Sequence, residues 1–163
     1  MIGHFDLATQ VVHAAKAKGL MISTAESCTG GMIAASLTDV AGSSAVFDRG
    51  FVTYSYPSKT ELLNISKKML NEFGAVSEPV ARQMAQGALG ASDANISIAV
   101  TGVAGPGADG EKAEGLVWFG LATANGVKTR EMNYGSIGRD NVRLATVETA
   151  LNMLLEEISN DQV

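Results

Sequence analysis

The stretch Leu20-Met21-Ile22-Ser23-Thr24-Ala25-Glu26-Ser27-Cys28-Thr29-Gly30-Gly31-Met32 decides the fold. A short β-branched run from Leu20 to Thr24 enters a turn carrying Gly30 and Gly31, and a helical pattern follows from Met32 to Val40. Strand, glycine-bearing turn and helix fit the first half of a crossover unit, the building block of an α/β domain. The first amides of a helix have no intrahelical partner and carry the positive end of its dipole, so a turn of this kind can hold an anion. Ser27, Cys28 and Thr29 add a hydroxyl, a thiol and a second hydroxyl beside it, unless Ser27 or Thr29 simply caps the helix.

Outward from this turn the chain alternates between the two periods. Phe5 to Lys18 has apolar residues at helical spacing and is stopped by Gly19. Ala45 to Tyr54 is aromatic and β-branched and reads as a strand bent at Gly50. Pro57 opens a short helix running through Lys59 towards Asn64, Ser66 starts a second over Lys67 to Phe73, and Ser77-Glu78-Pro79 starts a third through Leu89 despite Gly87. Asn95 to Thr101 alternates as a strand, and Gly102 to Glu114 is the longest loop. Gly115 to Thr123 and Val127 to Tyr134 form a hairpin about Asn125-Gly126, the pair preferred by a type I′ turn. Arg139 to Ile158 is the final helix. The expectation is one α/β domain over residues 1–163 with a functional loop at 102–114.

At 163 residues and 46% hydrophobic content the chain can bury a substantial core. A net charge of −5 without a basic run argues against nucleic acid and for a small-molecule partner. One cysteine excludes an internal disulfide framework, and the two histidines, His4 and His13, have no cluster of partner ligands, so neither a catalytic histidine nor a metal site is supported. No apolar run reaches the length of a membrane span and the start shows no long apolar core; a soluble, cytoplasmic protein is expected.

Gly105-Pro106-Gly107-Ala108-Asp109-Gly110 matches a dinucleotide fingerprint by letters, but a strand follows where that site requires a helix, and no Gly-Lys-Ser/Thr closes a phosphate loop. What remains is a loop whose glycines let amides approach a ligand, with Lys112 as a counter-charge or as a solvated surface lysine. Without an available histidine, a serine needs another base. A desolvated lysine serves, and Lys59 with Tyr54 is the candidate pair; the alternative is a helix-face lysine and a core aromatic. Cys28 competes with Ser27 as nucleophile or is a small buried thiol. Arg139 and Arg143, one helical turn apart, either clamp an anion or are ordinary surface cations.

The set as a whole resembles one family: Ala25-Glu26-Ser27-Cys28-Thr29-Gly30-Gly31, Gly42-Ser43-Ser44, Arg49-Gly50-Phe51-Val52-Thr53-Tyr54-Ser55 with Lys59, Gly74-Ala75-Val76-Ser77-Glu78-Pro79-Val80, and Thr101-Gly102-Val103-Ala104-Gly105-Pro106. This is similar to the CinA C-terminal-domain family in its stand-alone form. The resemblance implies a three-layer αβα fold with a mixed sheet, homo-oligomers with a dimer favoured, and hydrolysis of nicotinamide mononucleotide to nicotinic acid mononucleotide and ammonia, in pyridine nucleotide recycling, without a metal or cofactor. It places the nucleophile on Ser27, the catalytic tyrosine and lysine on Tyr54 and Lys59, and polar pocket positions on Thr101 and Arg139. Thr29, Gly30, Gly31, Gly102, Gly105, Lys112 and Arg143 complete the expected substrate-binding set, with amides near Thr29 to Gly31 steadying the oxyanion. The chain departs from the family pattern at Tyr56-Pro57, where an Asn is usual, and in the loop Gly107-Ala108-Asp109-Gly110. A second reading, suggested by the glycine-rich loops and by Tyr56-Pro57, is a non-catalytic nucleotide-binding or partner-binding module.

Overall fold

In the computed structural model, residues 3–161 and 163 are described; the expected domain bounds of 1–163 take in residues 1, 2 and 162, which lie outside them. The elements follow in the order α1 (Phe5–Ala17), β1 (Ile22–Glu26), α2 (Met32–Thr38), a 3₁₀ turn (Ser43–Ala45), β2 (Phe47–Val52), α3 (Tyr56–Leu63), α4 (Lys67–Phe73), α5 (Glu78–Gly90), β3 (Ile96–Gly102), β4 (Leu116–Thr123), β5 (Gly126–Asn133) and α6 (Arg139–Ser159). The five strands form one mixed sheet in the order β2-β1-β3-β4-β5, with β1 parallel to both β2 and β3, and β4 and β5 added antiparallel. The three-layer αβα fold follows from two cores. On one face α1, α2 and α6 pack on Ile22, Ile96, Ile98, Val100, Val117 and Phe119. On the other, α5 with the ends of α3 and α4 packs on Ala25, Ala99 and Ala122.

The two faces differ in side-chain size because α5 lies close to the sheet. Its face of the sheet is built from small residues, and Ser97 donates its hydroxyl to the Ala85 carbonyl at 2.6 Å. A Cβ on Gly120 would sit 2.3 Å from the Ala81 carbonyl. Gly87, the residue that weakens the helical pattern, is explained in the same way. A Cβ there would meet the Leu63 carbonyl at 2.4 Å, where α3 ends against α5. Gly87→Ala gains about 1 kcal/mol of helix propensity, but the added methyl needs backbone to move. Overpacking of a close contact costs about 1–3 kcal/mol, so this variant is expected to unfold at lower denaturant concentration than the parent in a urea titration.

Three local expectations are corrected. The first strand starts and ends two residues later than Leu20–Thr24, because Ala25 and Glu26 still pair with Phe51 and Val52 on β2 and with Ala99 and Val100 on β3. The irregularity in β2 is at Asp48, where the register with β1 jumps from Phe47 to Arg49. Gly50 is instead a close approach, since a Cβ would meet Thr24 Oγ1 at 2.7 Å. The hairpin pairs Thr123 with Gly126, so its central residues are Ala124-Asn125. Neither has positive φ, while Gly126 has φ +129°, which rules out type I′.

Parallel β1 and β3 place their carboxyl ends side by side. The chain leaves β1 through α2 on one face of the sheet and returns to β3 through α5 on the other, so the boundary between β1 and β3 is a topological switch point. Crevices form there in open α/β sheets.

Candidate active site

At that point a cleft of about 300 Å³ opens. The turn after β1 contributes Ser27 and Cys28, the segment after β2 contributes Tyr54, and α3 contributes Tyr56 and Lys59. The α4–α5 connection adds Ala75 and Val76, the end of β3 and the long loop add Thr101 to Asp109, and α6 adds Arg139.

Lys59 enters the cleft because α3 begins where it does. Ser55 caps the helix, accepting from the Ser58 amide at 3.3 Å, and Pro57 sits in the first turn, where its missing N–H is no loss. Tyr56-Pro57 is thus a competent helix start. Its residue Tyr56 accepts at its hydroxyl from the Ala75 amide at 3.1 Å, tying α3 to the cleft wall.

The Lys59 side chain is fully buried. Its Nζ lies 2.8 Å from Ser27 Oγ, 2.6 Å from the Thr53 carbonyl and 3.4 Å from the Tyr54 carbonyl. Burial disfavours the ammonium, and no carboxylate among the described residues pairs with it, so its pKa falls from 10.5 to about 8. Two carbonyls hold the two protons of a neutral amine, which leaves the lone pair facing Ser27. The orientation of the amine is thus set by backbone and not by a carboxylate. Ser27 is 8% exposed, enough to be reached from the cleft.

Tyr54 meets Lys59 only through its backbone. Its ring is exposed, and its hydroxyl accepts from Arg139 Nη2 at 3.1 Å. Arg139 also donates to the Gly105 carbonyl at 2.8 Å. Tyr54 and Arg139 therefore form a polar pair at the mouth of the cleft. Thr101 lines the cleft and donates to the Ala75 carbonyl at 2.8 Å. Gly102 and Gly105 line it also, and both are required by close approach: a Cβ would meet Val117 Cγ2 at 2.6 Å and the Glu114 carboxyl at 2.5 Å.

Thr29, Gly30, Gly31, Lys112 and Arg143 do not line the cleft. The start of α2, expected to receive an anion, is already filled by the chain's own carboxylate. Glu26, buried at the end of β1, accepts from Thr29 Oγ1 at 2.7 Å and from the Ile33 and Ala34 amides at 2.8 and 3.0 Å. The Gly30 amide donates to the Ser27 carbonyl at 3.1 Å. Lys112 donates to the Phe73 carbonyl at 2.9 Å and to that of Val76, bracing the loop against the α4–α5 connection. Arg143 donates to the carbonyls of Cys28 and Thr29 at 3.1 and 3.2 Å. Cys28 is a buried thiol, its pKa pushed up to about 12 by desolvation, which removes it as a competing thiolate.

Sequence reasoning missed Glu26, Tyr56 and the Thr53 carbonyl. Glu26 lies seven residues before Ile33, so no capping-box spacing flags it. Tyr56 was noted only as part of the departure at Tyr56-Pro57, with no signal that its hydroxyl braces the cleft wall. A backbone acceptor has no residue signature at all.

The CinA C-terminal domain family model matches residues 4–158. The chain belongs to this family. It is 47% identical over 153 residues to the nicotinamide-nucleotide amidohydrolase PncC of Enterobacter agglomerans, covering 93% of each chain. Its Escherichia coli K12 counterpart is 46% identical with the same coverage. A putative competence-damage inducible protein of Caldicellulosiruptor saccharolyticus is 48% identical, and there the match takes in 36% of the longer chain. Among solved structures, the competence/damage inducible protein CihA of Agrobacterium tumefaciens superposes with a TM-score of 0.92 at 51% identity, over 96% of this chain and 97% of that one. Among the described residues no helix is long and apolar enough to cross a membrane.

Proposed function

We propose that this chain is a nicotinamide-nucleotide amidohydrolase that converts nicotinamide mononucleotide to nicotinic acid mononucleotide and ammonia in pyridine nucleotide recycling. The observation that carries the reading is the buried Lys59 amine 2.8 Å from Ser27 Oγ, in a chain 47% identical to a named amidohydrolase. Neutral Lys59 takes the Ser27 proton as Oγ attacks the carboxamide carbon; the C–O bond forms and the carbonyl becomes an oxyanion. Protonated Lys59 then delivers that proton to the departing nitrogen, and ammonia leaves as the C–N bond breaks. Water, deprotonated by the same amine, hydrolyses the acyl-serine. The Thr53 and Tyr54 carbonyls keep the amine aimed throughout.

Two features support a substrate of this class. Arg139 and Tyr54 at the mouth offer a cation and a phenol suited to an anionic phosphoribosyl group. Among the described residues no second ammonium or guanidinium lines the cleft beside Ser27, which suits a positively charged pyridinium ring. The Tyr54 hydroxyl acts at the rim through Arg139, and the proton passes between Ser27 and Lys59 without it.

The test is ammonia and nicotinic acid mononucleotide formation from nicotinamide mononucleotide by the purified protein across pH. The expected kcat/KM rises with pH and levels off above a midpoint near 8, because only the neutral amine accepts a proton. A folded protein that binds the nucleotide without product would leave the binding-module reading in its place.

A further inference from the structure

We propose that Arg143 is a positioning residue for the reaction, holding in place the turn after Ser27 so that the N–H of Cys28, which lines the cleft, receives the oxyanion formed on Ser27 attack. This rests on the amidohydrolase reading above.

The argument is one of peptide planarity. In a trans peptide the C=O and the following N–H point in opposite directions, and among the described residues the only cis bond is Gly105-Pro106. Arg143 Nε holds the Cys28 carbonyl and Arg143 Nη2 holds the Thr29 carbonyl. The first contact fixes the Cys28–Thr29 unit, so the Thr29 N–H points away from the guanidinium. The second, with the Met32 amide on the same carbonyl at 3.2 Å, fixes the Thr29–Gly30 unit and sets the Gly30 N–H, which donates to the Ser27 carbonyl at 3.1 Å. That bond fixes the Ser27–Cys28 unit and turns the Cys28 N–H the other way. The guanidinium thus bears on the Cys28 amide through Gly30 while also holding the Cys28 carbonyl itself. Neither the Cys28 nor the Thr29 amide donates to another residue among those described.

Glu26 secures the same turn from the other end. Its carboxylate takes the Thr29 hydroxyl and two amides of α2. Thr29 is held by both residues, its hydroxyl by Glu26 and its carbonyl by Arg143 together with the Met32 amide. The arrangement also accounts for an arginine rather than a lysine at 143. Two donors in a rigid fork span successive carbonyls, and a single ammonium cannot hold that geometry.

The test compares wild type, Arg143→Ala and Arg143→Lys in steady-state amide hydrolysis across pH, with thermal unfolding followed on each. For Arg143→Ala kcat is expected to fall about 100-fold with KM nearly unchanged, the penalty for a misplaced catalytic group. The pH midpoint near 8 should stay, because Arg143 does not touch Lys59. Added millimolar guanidinium should restore part of kcat. Arg143→Lys should fold, keep the charge and still lose most of kcat. Wild-type kcat in either variant overturns the proposal. So does a moved pH midpoint in place of a lowered plateau, which would make the effect an electrostatic one on Lys59. Loss of kcat without guanidinium rescue, or failure of both variants to fold, makes Arg143 a scaffold residue and also overturns it. Absence of turnover in the wild type fails the amidohydrolase reading itself, and is distinguished by being seen before any variant is compared.

Discussion

Ser27→Ala is expected to lower amide hydrolysis by about 10⁴-fold or more while leaving the unfolding midpoint close to that of the parent. Removal of the attacking oxygen leaves nothing to form the acyl bond, and a serine–base pair acts as a unit, so the surviving partner cannot compensate. The structural effect is small because Ser27 Oγ has one side-chain partner, Lys59, which keeps the Thr53 and Tyr54 carbonyls. The measurement is ammonia release alongside denaturant unfolding on the same preparation. Turnover retained in the variant would remove Ser27 as nucleophile. The neighbouring Cys28 does not rescue the loss, since burial keeps its thiol protonated at any pH at which the protein is assayed.

Lys59→Met is expected to abolish most activity and to change how stability depends on pH. In the folded chain Lys59 loses its proton near pH 8, and in the unfolded chain near 10.5. Between those values the unfolded state binds one more proton than the folded state, so the stability of the wild type rises as pH rises. Over that window the gain is about 3 kcal/mol. Below pH 8 both states are protonated and the full penalty of a buried ammonium is present. Methionine fills a similar volume without a charge, so the Lys59→Met chain should not show this rise. Cys28 acts in the opposite direction above pH 9, but in both chains, so their difference isolates Lys59. Urea unfolding from pH 7 to 10.5 reads the effect. Parallel curves for the two proteins would mean that Lys59 keeps its ordinary pKa, and the proposed base would lose its physical basis.

Together these two experiments separate the nucleophile from its base. Ser27→Ala leaves the pH dependence of stability in place, because the amine remains buried. Lys59→Met removes it. Because the pair acts as a unit, the lysine variant should lose activity to about the same extent as the serine variant.

Secondary structure was legible wherever one period ran uninterrupted. Helices α1, α4, α5 and α6 and strands β3 and β4 lie within a few residues of their expected places, because caps such as Ser66 and alternation such as Ile96-Ser97-Ile98 are local signals. Where the fold departed, tertiary pairing outweighed local chemistry. Glu26 stays in β1 because strands on both sides hold it, and Gly126 takes the positive φ that the hairpin pattern assigned to its central pair.

For the site, residue types offered Ser27 with Cys28 as its rival and Lys59 as a base or a helix-face lysine, and the family resemblance singled out Ser27 and Lys59. Thirty-two residues apart in sequence, they were brought to 2.8 Å by the pairing of β1 with β2 and the cap at Ser55. The sequence could not separate Arg139 from Arg143. Both stand on the same side of α6, yet the first reaches the cleft mouth and the second the back of the Ser27 turn, a difference set by where α6 rests against the sheet. Nor could it show that Glu26 fills the helix start proposed for an anion, or that two carbonyls orient the lysine. By itself the sequence determined the α/β class, because strand, turn and helix are written in local pattern, while the three-layer arrangement and the pairing of Ser27 with Lys59 came only as what the family resemblance implies. The tertiary structure alone decided which charges are free to meet a ligand, because a side chain's partners depend on backbone brought near from elsewhere in the chain.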